Sequence, residues 1–291
     1  MRTFLFVLLL TMACLSAYAA PATDKPKMAT VKALEVNTKD DEDDPYVIGN
    51  NLFYSSNAGG KISILWSTRR SPVDVWHKGK PIDGIGTEVD DRGAFLVSQR
   101  DGVQYLFFAT QRDKENKNFD IYVGQRIDAK RPFSAVTPVH SVDTEADELH
   151  PWLTADGKHL YFSRKKGDHW RVFVVSRPTG LGPQFTGEPE EIKELPDDFH
   201  HATVSTDGRT MYLQGPLAKG RWGIFRSVKT GTKWGAPEEL TMLNHPDGPT
   251  GDRSPSLSRD ADSSVLYFAS DRPGGKGGLD LYSVSVLSLR R

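Results

Sequence analysis

The chain contains a single cysteine, Cys14, which lies close to the N terminus. One thiol cannot form an internal disulfide, and this excludes the disulfide-stapled class of small exported domains. After residue 20 there is no apolar run long enough to span a bilayer and no helical periodicity. The sequence also lacks a basic block, and its net charge is −1. We therefore expect no nucleic-acid partner, because such binding depends on neutralising phosphates.

Residues 1–19 have the pattern of a signal peptide. Arg2 precedes a short apolar run, and Ala17-Tyr18-Ala19 reads as a small-x-small cleavage site. We expect cleavage after Ala19, which gives a periplasmic or secreted, monomeric protein with no further membrane insertion. Lipid attachment at Cys14 stays open as an alternative, although Thr11 stands where a lipoprotein signal usually has Leu.

A short aromatic pattern occurs five times. The first residues of the copies are 54, 54, 51 and 55 positions apart. A period of this size, filled with strand-forming residues, indicates a circular or solenoidal array of β units. The five copies are Leu52-Phe53-Tyr54-Ser55-Ser56, Leu106-Phe107-Phe108-Ala109-Thr110, Leu160-Tyr161-Phe162-Ser163-Arg164, Met211-Tyr212-Leu213-Gln214-Gly215 and Leu266-Tyr267-Phe268-Ala269-Ser270.

Each repeat predicts four short antiparallel strands. An acidic segment comes first, followed by a strand and a hairpin turn, which is clearest at Asp156-Gly157 and Asp207-Gly208. The aromatic strand and two further strands complete the unit. We predict an all-β, five-bladed β-propeller that occupies residues 28–291 as one domain. Its blade units lie near 41–87, 88–144, 145–194, 195–248 and 249–291.

The last unit lacks its fourth strand, and the stretch 29–37 lacks the three strands that should precede it. This stretch resembles the fourth segment of the preceding unit. We therefore predict that the N-terminal strand closes the last blade, which would remove an exposed sheet edge.

Two units resemble the WD40-like β-propeller repeat of exported bacterial proteins, whose best-known carrier is the Tol-system propeller protein (TolB). The resemblance rests on Asp252-Arg253-Ser254-Pro255-Ser256 with Leu266-Tyr267-Phe268-Ala269-Ser270-Asp271-Arg272, and on His150-Pro151-Trp152 leading to Phe162-Ser163. It implies an exported propeller that binds a protein or a cell-envelope polymer.

The acidic segments suggest a ring of carboxylates at one end of the innermost strands. Such a ring could hold a cation such as Ca²⁺, which favours oxygen ligands. The alternative is that each aspartate caps its own turn by accepting backbone N–H groups. The ring would contain Asp44, Asp91, Asp147, Asp198 and Asp252.

Three histidines add to this face. His150 and His201 occupy matching positions in adjacent units, and His200 lies beside the latter. Imidazole groups next to carboxylates could form a ligand or transition-metal pocket. The alternative is ordinary hydrogen bonding along the channel.

The first unit allows an enzymatic interpretation. Asp44-Pro45-Tyr46-Val47-Ile48 is similar to the first blade of five-bladed arabinanases and xylosidases. The resemblance implies an inverting glycoside hydrolase with Asp44 as general base. Such a mechanism needs a second carboxyl as general acid. Glu148 and Glu188 are candidates, but neither has the expected Glu-Gly-Pro context.

The even repeats and the missing acid partner decide between the two interpretations. We favour a non-catalytic, TolB-like scaffold that binds a protein or a cell-envelope polysaccharide through the acidic and histidine residues named above. The glycoside hydrolase with Asp44 as base is the alternative.

Overall fold

The computed structural model describes residues 28–113, 115, 117–178, 182–260 and 263–289, and both the expected signal segment and Cys14 lie outside them. The described residues form five antiparallel sheets. The innermost strand of each sheet contacts the innermost strands of both neighbouring sheets, so the five blades close into a ring. The predicted five-bladed β-propeller is confirmed.

Strand bounds follow the predicted order within each blade. The N-terminal strand is β1 (Lys32–Ala33). Blade 1 consists of β2 (Glu42–Ile48), β3 (Asn51–Ser56), β4 (Ser63–Thr68) and β5 (Lys80–Pro81). Blade 2 consists of β6 (Asp91–Ser98), β7 (Gln104–Thr110), β8 (Asp120–Arg126) and β9 (Ser134–Pro138). Blade 3 consists of β10 (Glu148–Leu153), β11 (His159–Lys166), β12 (His169–Ser176) and β13 (Glu190–Glu191).

In blade 4 the outermost position is divided between two short strands that both pair with the third strand. This blade consists of β14 (His200–Val204), β15 (Thr210–Pro216), β16 (Trp222–Thr230), β17 (Lys233–Trp234) and β18 (Glu238–Glu239). Blade 5 consists of β19 (Asp252–Leu257), β20 (Val265–Ser270) and β21 (Asp280–Ser285). Two short 3₁₀ helices span Ala218–Gly220 and Val286–Leu289. No helix in the described part of the chain is long and apolar enough to cross a membrane.

The N-terminal strand closes the last blade, as predicted. Strand β1 pairs with β21, with Lys32 opposite Ser283 and Ala33 opposite Tyr282. The Asn37 side chain extends this seam, because its amide donates to the carbonyl of Leu281 and accepts from the N–H of the same residue. Blade 5 therefore gains a fourth strand from the opposite end of the chain.

The repeated aromatic strand is the second strand of each blade. Its large side chains are almost fully buried, as in Phe108, Phe162 and Phe268, because both faces of the sheet pack against neighbouring blades. The turns that lead into it in blades 3 and 4 use Gly157 and Gly208 at positive φ, the conformation that Asp-Gly turns require. Local patterns thus fix the blades, and the blades fix the channel at their centre.

Candidate active site

Each innermost strand contains one β-bulge, and the bulged residue has a left-handed backbone. The pairing register shifts once in β2, β6, β10, β14 and β19. Left-handed backbones are unusual for residues other than glycine, and such strained positions cluster at functional sites. We call this place in each blade the bulge position. Its residues, with φ between 50° and 64°, are Asp44, Gly93, His150, His201 and Ser254.

Asp44 uses one carboxylate oxygen for structure and turns the other toward the channel. Its Oδ2 accepts hydrogen bonds of 2.8 Å from the Ser55 hydroxyl and from Nε of Arg92. Its Oδ1 lies 3.7 Å from Nε2 of His150 and 3.9 Å from Nδ1 of His201, too far for direct hydrogen bonds. Only 3% of Asp44 is exposed, so the carboxylate is fixed in place within the protein.

The two imidazoles at the bulge position stack on each other. The ring centroids of His150 and His201 are 3.7 Å apart, with 21° between the planes. The Ser163 hydroxyl lies 3.1 Å from Nδ1 of His150, whereas Nδ1 of His201 is buried and has no hydrogen-bond partner. Burial lowers the pKa of His201 to about 4, although the negative charge of Asp44 acts to raise it. Burial and the nearby ring of His201 hold the pKa of His150 well below its usual value. Both rings are therefore uncharged at neutral pH.

A cavity of about 20 Å³ lies between these three side chains. That volume holds one water molecule. Tyr46 and Trp152 line the side of the cavity that follows the bulge. Because the distances from Asp44 Oδ1 to the two ring nitrogens are too long for direct bonds, a water between them would gain a carboxylate acceptor and an imidazole partner.

The same three residues fit a metal ion less well. Ligand atoms of Asp44, His150 and His201 lie within 4.8 Å of one another, which one ion could span. Imidazole nitrogens, however, bind metals in the plane of the ring. The planes of these stacked rings are nearly parallel, so their lone pairs do not converge on one point. The arrangement suits a water or a hydroxyl group.

Charged groups from three blades surround the channel just before the bulge. Arg92 pairs with Asp43 and Asp44, and Arg253 reaches Asp43 at 3.4 Å. Burial would raise the pKa of Asp43, but Arg253 and Arg92 outweigh it and hold the pKa at about 2. These residues line a depression of about 90 Å³ together with Ser55 and other residues. We call this depression the mouth.

The structure separates the five aspartates of the expected ring. Asp44 alone occupies the bulge position. Asp147 and Asp198 lie three residues before it in their blades, where they accept the backbone N–H of Phe119 and Trp170, at the start of the third strand of the preceding blade. These two carboxylates join neighbouring blades.

Asp91 and Asp252 lie two residues before the bulge. Asp91 accepts from Thr87 and pairs with Arg112, and Asp252 accepts from the His245 N–H and pairs with Arg272. The set of five carboxylates that would hold a calcium ion at the channel is therefore not brought together. The alternative expectation, capping of the residue's own turn, describes Asp91 and Asp252, whereas Asp147 and Asp198 accept N–H groups of the preceding blade.

His200 lies outside the water-sized cavity despite its place next to His201. Its Nδ1 lies 2.9 Å from the carbonyl of Asp198, and its Nε2 accepts from the Gln214 amide. Trp170 stacks on the ring, and Trp222 meets it edge to face. Burial lowers its pKa to about 3. Both nitrogens are satisfied, so His200 is a structural residue of blade 4.

Neither carboxyl considered as general acid lies at the pocket. Glu148 is fully buried at the start of β10, where its Oε1 accepts from Thr144 and Arg164. Glu188 is exposed, close to the outermost strand of blade 3. In the described part of the chain, the carboxyls that line the mouth are those of Asp41 and Asp43.

No sequence pattern identified the charged and hydroxyl residues around Asp44. Arg92, Ser55 and Arg253 lie on different strands. The contacts that surround Asp44 and its neighbours join residues that are up to 210 positions apart along the chain. One signal was present for the bulge. Proline follows the bulge position in three blades, at Pro45, Pro151 and Pro255, and counting back one residue aligns Asp44 with His150 and Ser254.

No protein-family model matches the chain, and no curated protein matches it. Solved structures do. The crystal structure of an α-L-arabinofuranosidase from Podospora anserina in complex with cellotriose superimposes with a TM-score of 0.61 at 10% identity, covering 91% of this chain and 93% of that chain. An endo-arabinase from Bacteroides thetaiotaomicron gives 0.62 at 14% identity, covering 89% and 98%. At such identities the likeness shows the fold.

The comparison corrects the functional interpretation. Glycoside hydrolases described as arabinofuranosidase, endo-arabinase, family 43 and GH62 recur among the similar structures. TolB from Acinetobacter baumannii gives a TM-score of only 0.48 and is covered over 54% of its length. The prediction of a non-catalytic, TolB-like scaffold is contradicted, and so is the expectation that the chain is not an enzyme.

Proposed function

We propose that the protein is a glycoside hydrolase in which Asp44 is the general base. The observation that carries this proposal is the position of Asp44 Oδ1, which faces a water-sized cavity while Oδ2 is held by Ser55 and Arg92. Among the described residues Oδ1 accepts only a long hydrogen bond of 3.5 Å from the Ser254 hydroxyl. Such a carboxylate, fixed by one oxygen and weakly engaged at the other, can take a proton from water as the water attacks a sugar carbon. The fold shared with arabinan-acting enzymes supports the same reaction class.

The leaving group needs a proton from a general acid several ångströms from Asp44, across the sugar. Asp43 is ill suited, because two guanidinium groups keep its pKa at about 2. In the described part of the chain, His201 has a buried ring nitrogen without a hydrogen-bond partner, 3.9 Å from Asp44 Oδ1. That separation is too short for an acid across the sugar, so we assign the uncharged ring the role of orienting the attacking water. Its pKa of about 4 then makes kcat/KM fall as the pH drops below that value.

The substrate must bind at the mouth. The cavity beside Asp44 admits one water but no sugar ring, whereas the mouth is wider and presents hydroxyl, amide and guanidinium donors from Ser55, Asn57, Arg92 and Arg253. Donors and acceptors of this kind bind sugar hydroxyls. Arabinofuranosides and short arabinan or xylan oligosaccharides are the first substrates to test, because similar structures act on or bind glycans of this type.

The expected signal peptide and the WD40-like repeats agree with a role outside the cytoplasm. An exported hydrolase would meet polysaccharides of the envelope or the surroundings as its substrates. Fractionation of cells that express the full chain would test export, and recovery of the uncleaved chain in the cytoplasm would contradict it.

Asp44→Asn tests the proposed function. The amide has nearly the same volume as the carboxylate but cannot accept the proton, so we expect kcat to fall by about 10³-fold on an aryl arabinofuranoside at pH 4 to 5. Asp168→Asn, an exposed change on the β11–β12 hairpin, is the matched control and should keep full activity. Melting temperatures of both variants exclude unfolding as the cause. The proposal fails if wild type turns over none of the glycosides, or if Asp44→Asn retains its rate.

A further inference from the structure

A second group of carboxylates lies at the boundary between blades 2 and 3, away from the channel. Asp120 begins β8, Glu148 begins β10, and Asp143 lies in the loop between β9 and β10. One oxygen from each lies within 4.8 Å of the others. We call these three residues the carboxylate cluster.

One oxygen of the cluster is buried without any protein partner. Glu148 is completely buried, and its Oε1 accepts from Thr144 and from Nε of Arg164. Its Oε2 has no hydrogen-bond partner in the described part of the chain. A buried charged oxygen is normally paired, hydrogen-bonded or bound to a metal. This atom therefore points to a ligand that the protein itself does not supply.

The charges around the cluster are out of balance. Arg164 pairs with Glu148, but among the described residues Asp120 receives only the amide of Asn118. Three carboxylates thus face one another across less than 4.8 Å with one guanidinium among them. Oδ1 of Asn118 is a further buried oxygen without a partner among the described residues. A cation among these oxygens would relieve both the repulsion and the missing contacts.

We propose that the carboxylate cluster binds Ca²⁺. All the donor atoms are oxygens, which suits a hard cation and excludes the nitrogen and sulfur sets typical of zinc. Ligands about 2.4 Å from one calcium ion can be separated by up to about 4.8 Å, and the oxygens of the cluster all lie within that distance of one another. Waters would complete the coordination on the exposed side of Asp143.

At the position of Asp120, opposite the last residue of the aromatic strand, blade 1 has Ser63 and blade 3 has Arg171. Blade 5 has a carboxylate there, Asp280, whose charge acts on Glu42. In the described part of the chain, however, a third carboxylate completes the set only at the boundary of blades 2 and 3. Calcium here would join the start of β8 to the loop before β10, so it would stabilise the contact between two blades. It would not touch Asp44, and its existence is independent of the proposed hydrolysis.

Calcium titration of the mature protein tests the proposal. After treatment with EDTA and its removal, we expect binding of one Ca²⁺ by calorimetry at pH 7.5 and a rise in melting temperature of about 5 °C in 2 mM CaCl₂. Asp143→Asn should abolish both signals. Asp143 is exposed, so this variant should fold. Asp168→Asn on blade 3 removes an exposed carboxylate outside the cluster and should leave both signals unchanged.

Two outcomes would overturn the calcium assignment. In the first, calcium gives the wild-type protein neither a heat of binding nor a rise in melting temperature, and Asp143→Asn raises the melting temperature by the same amount with and without calcium. In that case the carboxylates would share protons instead of binding an ion. The second is calcium binding that survives in the double variant Asp120→Asn/Asp143→Asn, because the ion would then lie elsewhere.

Discussion

The bulge position and the acidic position two residues before it are used in opposite ways by the five blades. At the bulge the blades carry Asp, Gly, His, His and Ser, and the first four of these residues line one cavity. Two residues earlier, four blades carry a buried carboxylate, and three of these accept from a threonine four residues back. The four carboxylates belong to Glu42, Asp91, Glu148 and Asp252.

This difference separates fold from function. A residue type that recurs at one position in blade after blade satisfies a need that every blade has, such as fixing the loop that enters it. Where the backbone conformation recurs but the residue type changes, the side chain does not serve that shared structural requirement. The strained backbone places an aspartate, two histidines and a serine close to one centre, where their chemistry can differ.

The largest expected effect comes from breaking the repeated position. Asp252→Ala leaves Arg272, only 7% exposed, without the carboxylate that lies 2.6 Å from it. We expect the free energy of unfolding to fall by about 3–5 kcal/mol, as for other buried pairs that lose one partner, while turnover per folded molecule is unchanged. Urea denaturation measures the first and active-site titration the second. Glu238→Ala, which removes an exposed partner of Arg226, is the control and should cost less than about 1 kcal/mol.

Much of the fold was predictable because it depends on local patterns. The aromatic strand, the Asp-Gly turns and the need of the last blade for a fourth strand are each visible within a few residues. The site was only partly predictable. Asp44, His150 and His201 were identified, and Asp44 before Pro45 was considered as a general base, but the favoured interpretation grouped it with four aspartates that occupy other positions.

The remaining site residues could not have been read from the sequence. Arg92 binds Asp44 from the next blade, 48 positions along the chain, and Ser163 bonds at once to the ring of its own blade and to the backbone of the next. Such contacts follow from the stacking of blades. No spacing in the chain marks them.

The second prediction changes the bulge position itself. His201→Gln removes a titrating ring while leaving a polar side chain beside Asp44. We expect kcat to fall by about 10²-fold, because the attacking water loses its imidazole partner. We also expect the decline in activity near pH 4 to move, because the group with the pKa of about 4 is gone. A pH–rate profile of wild type and variant decides the matter. An unchanged profile in the variant would remove His201 from the reaction.

The neighbouring histidine sharpens the comparison, because His200 is structural. Its pKa is about 3 in the fold against about 6.5 in the unfolded chain, so below pH 6.5 the unfolded chain binds a proton that the folded protein does not. Stability contributed by the uncharged ring is present above that range and is lost as the pH falls. Between pH 8 and pH 5 we expect this residue alone to cost about 2 kcal/mol.

His200→Gln should therefore flatten the acid side of the stability curve without changing the pH dependence of turnover. Gln can still accept from Gln214, which limits the cost at neutral pH. Thermal unfolding at half-unit pH steps measures the slope. A variant whose stability falls as steeply in acid as that of wild type would show that the buried ring of His200 is not the source.

The smallest expected effect comes from Ser163, which connects His150 and His201 at the bulge positions of neighbouring blades. Ser163 is fully buried, and its Oγ lies 3.1 Å from Nδ1 of His150 and accepts the N–H of His201 at 2.9 Å. Ser163→Ala removes both contacts but adds no bulk, and the equivalent residue of blade 2 is already Ala109. We expect a loss of about 1 kcal/mol in stability. We also expect turnover to fall by about tenfold, because the His150 ring loses the partner that fixes its orientation.

Ser176→Ala provides the matched control, since its hydroxyl contacts the exposed ring of His159 in the same blade at 2.8 Å. It should change neither stability nor turnover appreciably. If Ser163→Ala lost stability but kept full turnover, the stacked imidazoles would be held by the blades alone, and the serine would belong with the repeated carboxylates as part of the fold. If turnover fell while stability held, the orientation of His150 would be a requirement of the chemistry, and the bulge position would be functional in a second blade besides that of Asp44.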